Sequence, residues 1–502
     1  MKLIKPIVWT IAGSDSGGGA GLQADLKAFE AFDVHGCSAV SAITAQNSLA
    51  VQQVQAVAPE LLDAQLQALS EDLPPAAIKC GMLGSAANAR VVARWVRRLR
   101  ESAPVALVLD PVWRASTGAD LSGAELREVY RRELLPLADV ITPNRAEAAW
   151  LLGTEMAAPQ SAIALQALGT RTVLITGGDA GGEQARDWLQ SPQAQGWLSL
   201  PLIATSHNHG TGCVFASSLA AALAHGFCAA DAAVLAKMAT AEALRQGYAA
   251  GAGAGPVRPQ AGFALRPENL PTLWSGLSSY IRFARLSEPD MGLYAIADSA
   301  ASIARLLAAG VRTLQLRIKD GATPDLREQI ARSIAAAKAA EAQLFINDHW
   351  ALALELGAYG VHLGQEDLAT ADLRAIADAG LRLGVSTHSL WEVARARALH
   401  PSYIACGPIH ATSTKDMPWR PQGEGNLAYW CSVLAEPVVA IAGMDVERAG
   451  AALQCGARGV AVLSGLTQAA DPEAEVAEYQ LALSRDGEWR RQASPPWPRP
   501  TF

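Results

Sequence analysis

The chain lacks the features that would tie it to a membrane, an oxidising compartment or a nucleic acid. No uninterrupted apolar run in its 502 residues is long enough to span a bilayer. Its seven cysteines, at 37, 80, 213, 228, 406, 431 and 455, form no CxxC pair and have no histidines at zinc spacing. Reduced thiols in a cytoplasm fit that scatter better than a disulfide framework or a zinc module. A net charge of −7 argues against nonspecific binding of nucleic acid. Apart from strand–helix alternation there is no internal repeat and no low-complexity array. The opening MKLIKPIVWTIAG has only a short apolar run that passes straight into a glycine-rich turn, so it reads as a first strand rather than a signal peptide.

What is present is apolar: 50% of residues, enough for two or three cores. Residues 6–265 alternate short strands with Ala-rich helical stretches. The strand candidates are 7-IVWTIAG, 38-SAVSAIT, 77-AIKCGML, 105-VALVLD, 139-DVITPN and 172-TVLITGG. This pattern predicts an open, doubly wound α/β sheet with ligands at the strands' C-terminal ends. The C-terminal half carries eight runs: 293-LYAIAD, 313-TLQLRIK, 343-QLFIND, 360-GVHLGQ, 382-RLGVSTH, 403-YIACGPI, 437-PVVAIAG and 459-GVAVLS. Buried parallel strands in series, each with room for a following helix, predict a (β/α)8 TIM barrel over 290–483. Residues 266–289 read as a linker or docking helix, and 484–502 as a loose Pro-rich tail.

Three N-terminal segments carry chemistry. In 12-AGSDSGGGAGLQAD the glycines allow close backbone approach and the amides suit an anion, although neither a Walker A nor a Rossmann spacing is met. In 209-HGTGCVFASSLAAALA a Gly-Thr-Gly turn opens a helix, so free amides converge on an anion and Cys213 sits where its thiol pKa should fall. In 142-TPNRAEAAWLLG, Asn144 and Glu147 share a face at a strand-to-helix transition, which suits Mg²⁺ through water and equally suits a helix start.

In the barrel, alternation places Gln315, Arg317 and Lys319 on one face of the second strand. Two cations at the mouth imply an anionic ligand. Asp348 and Asp367 end neighbouring strands and could share one Mg²⁺. Amides near Gly443, and from Val462 to Ser464, follow strands seven and eight, where barrels hold a phosphate. His349 and His388 read as packed or rim histidines rather than metal ligands.

Through GSDSGGGAGLQADLK, TAQNS, KCGMLG, LDPV, TPNRAE, ITGG and HGTGC, residues 6–265 resemble the hydroxymethylpyrimidine (phosphate) kinases of the ribokinase-like superfamily. That resemblance implies that Gln46 bonds an aminopyrimidine, that Gly210, Thr211 and Gly212 form an anion hole, and that Cys213 is the candidate base. It also implies that Asn144, Glu147 and Lys237 organise Mg-ATP. Trp113 and Ser116 depart from the family pattern. Residues 290–475 resemble thiamine phosphate synthase through LYAIAD, QLRIKD, FINDHW, YGVHLGQEDL, LGVSTH, GPI…TSTK and IAG. The resemblance implies diphosphate contacts from Arg317, Lys319, Asn347 and Lys415, and pyrimidine contacts from Gln315 and Ser386. Asp348 and Asp367 would hold Mg²⁺, while Thr412, Thr414, Gly443, Val462 and Ser464 would hold a thiazole phosphate. His410, Ala411 and Ala442 depart from that pattern.

The expected whole is a cytoplasmic bifunctional enzyme whose partners are small molecules: ATP, hydroxymethylpyrimidine and its phosphates, and thiazole phosphate. It needs no nucleic acid or membrane, and its state as monomer or homo-oligomer stays open. Two rivals are a kinase for a B6-type pyridine alcohol and a domain that senses pyrimidine phosphates without turnover.

Overall fold

Short apolar runs alternating with helix-forming segments build two units in the computed structural model, residues 1–276 and 277–502. The structure describes residues 5–113, 123–178, 182–276, 281–319, 321, 323–411, 418–467, 469, 471–484 and 497–502.

The first unit is a ten-stranded sheet with the order β10-β9-β8-β7-β6-β5-β4-β1-β2-β3. Its strands are β1 (Ile7–Asp15), β2 (His35–Gln46), β3 (Val51–Ala56), β4 (Ala77–Cys80), β5 (Ala106–Leu109), β6 (Val140–Ile141), β7 (Thr172–Ile175), β8 (Gln184–Gln190), β9 (Gln195–Pro201) and β10 (Thr272–Trp274). The strands from β2 to β7 in that order pair in parallel, and β3, β8, β9 and β10 pair antiparallel at the two edges. From β1 the chain winds one way to β2 and the other way to β4. A crevice therefore opens at the C-terminal ends of these strands, where doubly wound sheets take ligands. Trp9, Ile11, Ile78, Leu107, Leu109 and Ile141 are among the residues of the core on one side of this sheet.

The second unit is a closed barrel of eight parallel strands. They are β11 (Gly292–Ala297), β12 (Thr313–Leu316), β13 (Gln343–Asn347), β14 (Gly360–Leu363), β15 (Arg382–Thr387), β16 (Tyr403–Cys406), β17 (Val438–Ile441) and β18 (Gly459–Val462). Its interior holds Tyr294, Phe345 and Tyr403, packed with ring centroids 5.0–5.9 Å apart. Gly384 on β15 makes this possible, because a Cβ there would overlap the Tyr403 ring.

Two boundary expectations need correction. Residues 266–289 hold no helix suited to docking among the described residues. Leu273 and Trp274 instead pair with Leu198 and Trp197, adding β10 to the first sheet. The run beginning at Pro271 is too short and too interrupted for a stable helix, whereas three residues suffice for an edge strand. Residues 281–289 lie against the barrel: Ser402 Oγ donates to Ala284 O at 2.7 Å, and Ser287 N donates to Tyr359 Oη at 2.9 Å. The end of the tail is not loose. Arg420 N donates to Thr501 O at 2.8 Å, and Asn426 exchanges bonds with the Arg499 backbone at 2.8 and 3.1 Å. Pro-rich segments carry few donors of their own, but their carbonyls remain available to a fixed partner.

Candidate active sites

In the first unit the glycine-rich loop and the Gly-Thr-Gly turn meet. Gly210 has φ 84°, a conformation that favours glycine, and a side chain there would strike the Gly19 carbonyl. Gly210 caps the helix Thr211–Ala224. The Gly212 and Cys213 amides at its start have no hydrogen-bond partner among the described residues, and Gly212 is exposed. Of the three residues expected to form the anion hole, Gly212 keeps an unpaired amide, whereas the Thr211 amide donates to Asn208 O at 3.3 Å.

The loop itself is different from the expectation of an open nest. Its amides are occupied by the buried Asp15 carboxylate, which accepts from Gly17 N at 2.7 Å, Gly19 N at 2.9 Å and Ala20 N at 2.8 Å. His209 Nε2 lies 3.3 Å from the same carboxylate. Burial alone would raise the Asp15 pKa, but bonds from His209, Gln46 and the loop amides outweigh it and hold the carboxyl well below its usual range. Gln46 is thus fixed at this crevice, its backbone also tied to Ser16 Oγ at 2.7 and 2.9 Å.

Beneath the turn lies a charged network that the motif reading missed. Lys79 is fully buried, with Nζ 2.9 and 3.0 Å from the two Asp25 oxygens and 3.6 Å from Asp110 Oδ2. Thr10 and Ser217 hydroxyls each donate to Asp25 at 2.6 Å. Charged residues inside KCGMLG and LDPV were the available signal. The Cys213 thiol corrects another expectation: burial pushes its pKa up to about 12, although Lys79 pulls the other way. Loss of solvent here exceeds the favourable field of the helix end.

Asn144 and Glu147 form a capping box on the helix Arg145–Leu152. Asn144 Oδ1 accepts from Glu147 N at 2.9 Å, and Glu147 Oε2 accepts from Asn144 N at 2.7 Å. Lys237 is buried rather than solvated, with Nζ 2.6 Å from Asp187 on β8. Trp113 stacks on Trp150 at 6.0 Å, and Ser116 lies outside the described residues.

In the barrel, Asp348 follows β13 and Asp367 follows β14. Desolvation, the neighbouring Asp367 charge and a hydrogen bond between the two carboxyls raise the Asp348 pKa, against the pull of Arg317. Asp348 has φ 62°, a left-handed conformation that turns the chain sharply after Asn347. Asp367 Oδ2 also accepts from Gly364 N at 3.0 Å. Two carboxyls sharing a rim beside a guanidinium suit a hard divalent cation, although no cluster of three potential ligands occurs among the described residues.

Gln315 and Asn347 are buried, Arg317 is half-buried, and Lys319 is exposed beyond the strand. Ser386 meets His362 Nε2 at 2.8 Å, and His362 Nδ1 meets Tyr403 Oη at 2.7 Å. Burial, seconded by the Arg317 charge, lowers the His362 pKa to about 3, so the ring is neutral. Gln365 Nε2 donates to Ser386 O at 2.8 Å, leaving its buried Oε1 without a partner among the described residues. Gly443 follows β17, while Val462 and Ser464 flank the end of β18. Ala442 has φ 78°, a left-handed conformation that favours glycine. His349 Nε2 lies 2.8 Å from Ile318 O, and His388 lies 2.8 Å from Glu392 and stacks on Trp419 at 3.8 Å. Thr412, Thr414 and Lys415 lie outside the described residues.

The fold and sites define a phosphate-handling α/β unit followed by a barrel with an acidic and basic mouth. Residues 15–258 match the phosphomethylpyrimidine kinase family and residues 292–466 match the thiamine monophosphate synthase family. The chloroplastic thiamine biosynthetic bifunctional enzyme of Arabidopsis thaliana is 34% identical over 92% of this chain and 90% of its own length. A probable counterpart from Oryza sativa subsp. japonica is 34% identical over 95% of this chain and 89% of its own length. The thiamine-phosphate synthase of Serratia proteamaculans is 56% identical over 38% of this chain and 89% of its own length. Among solved structures, a phosphomethylpyrimidine kinase from Clostridium difficile is 34% identical, with a TM-score of 0.42, covering 48% of this chain and 99% of that one. The chain belongs to the family of bifunctional thiamine biosynthetic enzymes, in which a phosphomethylpyrimidine kinase and a thiamine-phosphate synthase are fused. No helix among the described residues is long and apolar enough to cross a membrane.

Proposed function

We propose that the first unit uses Mg-ATP to phosphorylate 4-amino-5-hydroxymethyl-2-methylpyrimidine and then its monophosphate. The second unit joins the resulting diphosphate to hydroxyethylthiazole phosphate, giving thiamine monophosphate and diphosphate, in the cytoplasm. The observation that carries this reading is the pairing of free Gly212 and Cys213 amides in one unit with the Asp348, Asp367 and Arg317 rim in the other. Each gathers what a phosphorus-oxygen anion requires.

In the kinase the amides at the head of the helix Thr211–Ala224 stabilise charge on the moving phosphoryl group. Gln46 offers a donor and an acceptor to the aminopyrimidine edge. Cys213 rests as a neutral thiol and acts as base only from its thiolate form, which accepts the hydroxyl proton as the new P–O bond forms and so returns to the thiol. The fixed Lys79 charge favours that thiolate against the effect of burial. Asn144 and Glu147 set the start of a helix that borders the nucleotide, and Lys237 braces β8 through Asp187.

In the synthase, Arg317, Lys319, Asn347 and Lys415 hold the diphosphate as its bond to the pyrimidine methylene breaks. The thiazole nitrogen then attacks the resulting cation. Asp348 and Asp367 would hold Mg²⁺, which supplies charge neutralisation to the leaving group. Gln315 and Ser386 orient the pyrimidine. Thr412, Thr414, Gly443, Val462 and Ser464 receive the thiazole phosphate. The test supplies hydroxymethylpyrimidine, thiazole phosphate and Mg-ATP and looks for thiamine monophosphate. Clear preference of the kinase for pyridoxal, or binding without turnover, would overturn the reading.

A further inference from the structure

Residues 497–502 dock on one corner of the barrel, and no step of the chemistry above calls for them. Asn426, on the helix Gly423–Val433, is buried and spends both halves of its amide on one residue of that segment. Its Nδ2 donates to Arg499 O at 3.1 Å, and its Oδ1 accepts from Arg499 N at 2.8 Å. Arg420 N donates to Thr501 O at 2.8 Å, and Thr501 is itself buried. The Phe502 ring centroid lies 6.3 Å from that of Trp419. An amide pair followed by a third bond fixes the register of the segment, because a slip by one residue would leave buried polar groups unmet.

The residues so held shape the ends of β16 and β17. Gln422 Nε2 donates to Gly407 O at 2.7 Å, and Gln422 N donates to Pro408 O at 2.8 Å. Gly423 N donates to Ile409 O at 2.9 Å, and Trp430 Nε1 holds Gln422 Oε1 at 2.9 Å. The stretch from Gly407 is bonded in turn to the end of β17: Ile409 N donates to Ile441 O at 3.0 Å and His410 N to Ala442 O at 3.2 Å. Gly443 comes next, packed so closely that a side chain there would strike Ala411 O and His410 Cβ. A series of backbone and amide bonds therefore runs from Arg499 and Thr501 to Gly443. Trp419 adds a tie to β15 by stacking on His388 at 3.8 Å. His388 is also anchored without the segment, since buried Glu392 accepts from its backbone N at 2.6 Å and lies 2.8 Å from its ring.

We propose that residues 497–502 are an outer brace of the barrel corner that ends in Gly443, and that they set the affinity of the synthase for its thiazole phosphate substrate. This rests on the synthase reading above and adds a segment that acts on that site from behind. Backbone that cradles a phosphate must hold its amides in place, and small displacements cost binding. The segment touches that backbone only through Arg420, Gln422 and Asn426, so its members are positioning residues. The pyrimidine side lies on strands the brace does not hold, and Glu392 keeps the β15 end in place without it.

The key contacts come from the Arg499 backbone, which makes the test selective. Arg499→Ala keeps the N–H and should leave the synthase unchanged, whereas Arg499→Pro removes that donor and should weaken it. In a chain shortened to end at Pro496, KM for thiazole phosphate should rise about tenfold. The synthase kcat, KM for the pyrimidine diphosphate and kinase turnover should stay within about twofold of wild type. Arg499→Pro should move the same KM in the same direction, and it carries the test should the shortened chain not fold. An unchanged KM for thiazole phosphate in a folded variant, or an equal rise in both KM values, would mean a merely structural role and overturn the brace. Calorimetric titration with thiazole phosphate alone separates this idea from the reading beneath it. The wild type should bind about tenfold more tightly than the shortened chain, and equal binding would sink the brace. A wild type that binds more tightly than the shortened chain yet makes no thiamine monophosphate would sink the synthase assignment and leave the brace standing.

Discussion

At the scale of single residues the first unit holds two buried groups shifted in opposite directions. Cys213 sits at a helix start yet carries a thiol pushed up to about 12, so it is protonated at neutral pH. Only a minute fraction is thiolate at pH 8, and alkylation should run about a thousandfold slower than for an ordinary free thiol. Mass spectrometry of Cys213 after iodoacetamide treatment checks this; rapid labelling with a flat profile between about pH 7 and 9 would contradict it. Asp15 is shifted the other way, held ionised by His209, Gln46 and loop amides. Because its folded pKa lies below the unfolded value of about 3.9, the unfolded chain binds more protons between the two. The stabilisation is therefore complete above the ordinary carboxylate range and is lost as pH falls through the folded value. Asp15→Asn turns one carboxylate oxygen into an amide group facing the Gly19 and Ala20 donors or, rotated, the Gly17 donor, leaving a loop N–H unmet either way. It should destabilise the first unit by about 1–3 kcal/mol at pH 7. That deficit against wild type should shrink in acid, as read by denaturant unfolding at a series of pH values.

At the scale of elements, Asn144 and Glu147 illustrate how one motif serves two readings. Their reciprocal bonds cap the helix Arg145–Leu152. Asn144→Ala should therefore cost about 1 kcal/mol of stability whether or not nucleotide is present. A rise in KM for ATP with unchanged unfolding would mean that the cap is incidental and the nucleotide role dominant. The same duality explains what could be read in advance. All eight barrel strands coincide with apolar runs, because strands buried on both faces leave an unbroken hydrophobic signature. The parallel strands β1, β2, β4, β5, β6 and β7 were equally legible. The antiparallel edge strands β3, β8, β9 and β10 were not, since sequences such as VQQVQA and QARDWLQ mix polar residues into a half-exposed pattern. Motif positions located both crevices, but side-chain partners did not follow from them. Lys237 finds Asp187 from a different element, and Asp15 fills its own loop, outcomes that depend on tertiary approach. The hydrogen bonds joining Tyr294 to Tyr403 and Tyr403 to His362 were hidden for the same reason: their members come from β11, β16 and β14, and each alone reads as ordinary core.

At the scale of the whole molecule, the chain divides into two units, each with its own proposed phosphate site. In the proposed sequence of reactions the product of the first unit is the substrate of the second. Cys213→Ala should abolish most kinase turnover and leave synthase turnover within about twofold of wild type, and Asp367→Ala should do the converse. Losses of this kind from a positioned group or a metal ligand are typically 10²-fold or more. The stronger test mixes the two variants. Neither alone should convert hydroxymethylpyrimidine, thiazole phosphate and Mg-ATP to thiamine monophosphate at an appreciable rate. Together they should restore it, after a lag that shortens as enzyme concentration rises, because the intermediate must leave one molecule and enter another. Restoration without a lag would require direct transfer between chains. No restoration, with each remaining single activity intact, would show that the intermediate released by one unit cannot be used from solution by the other, and the two sites would then have to be treated as a coupled device.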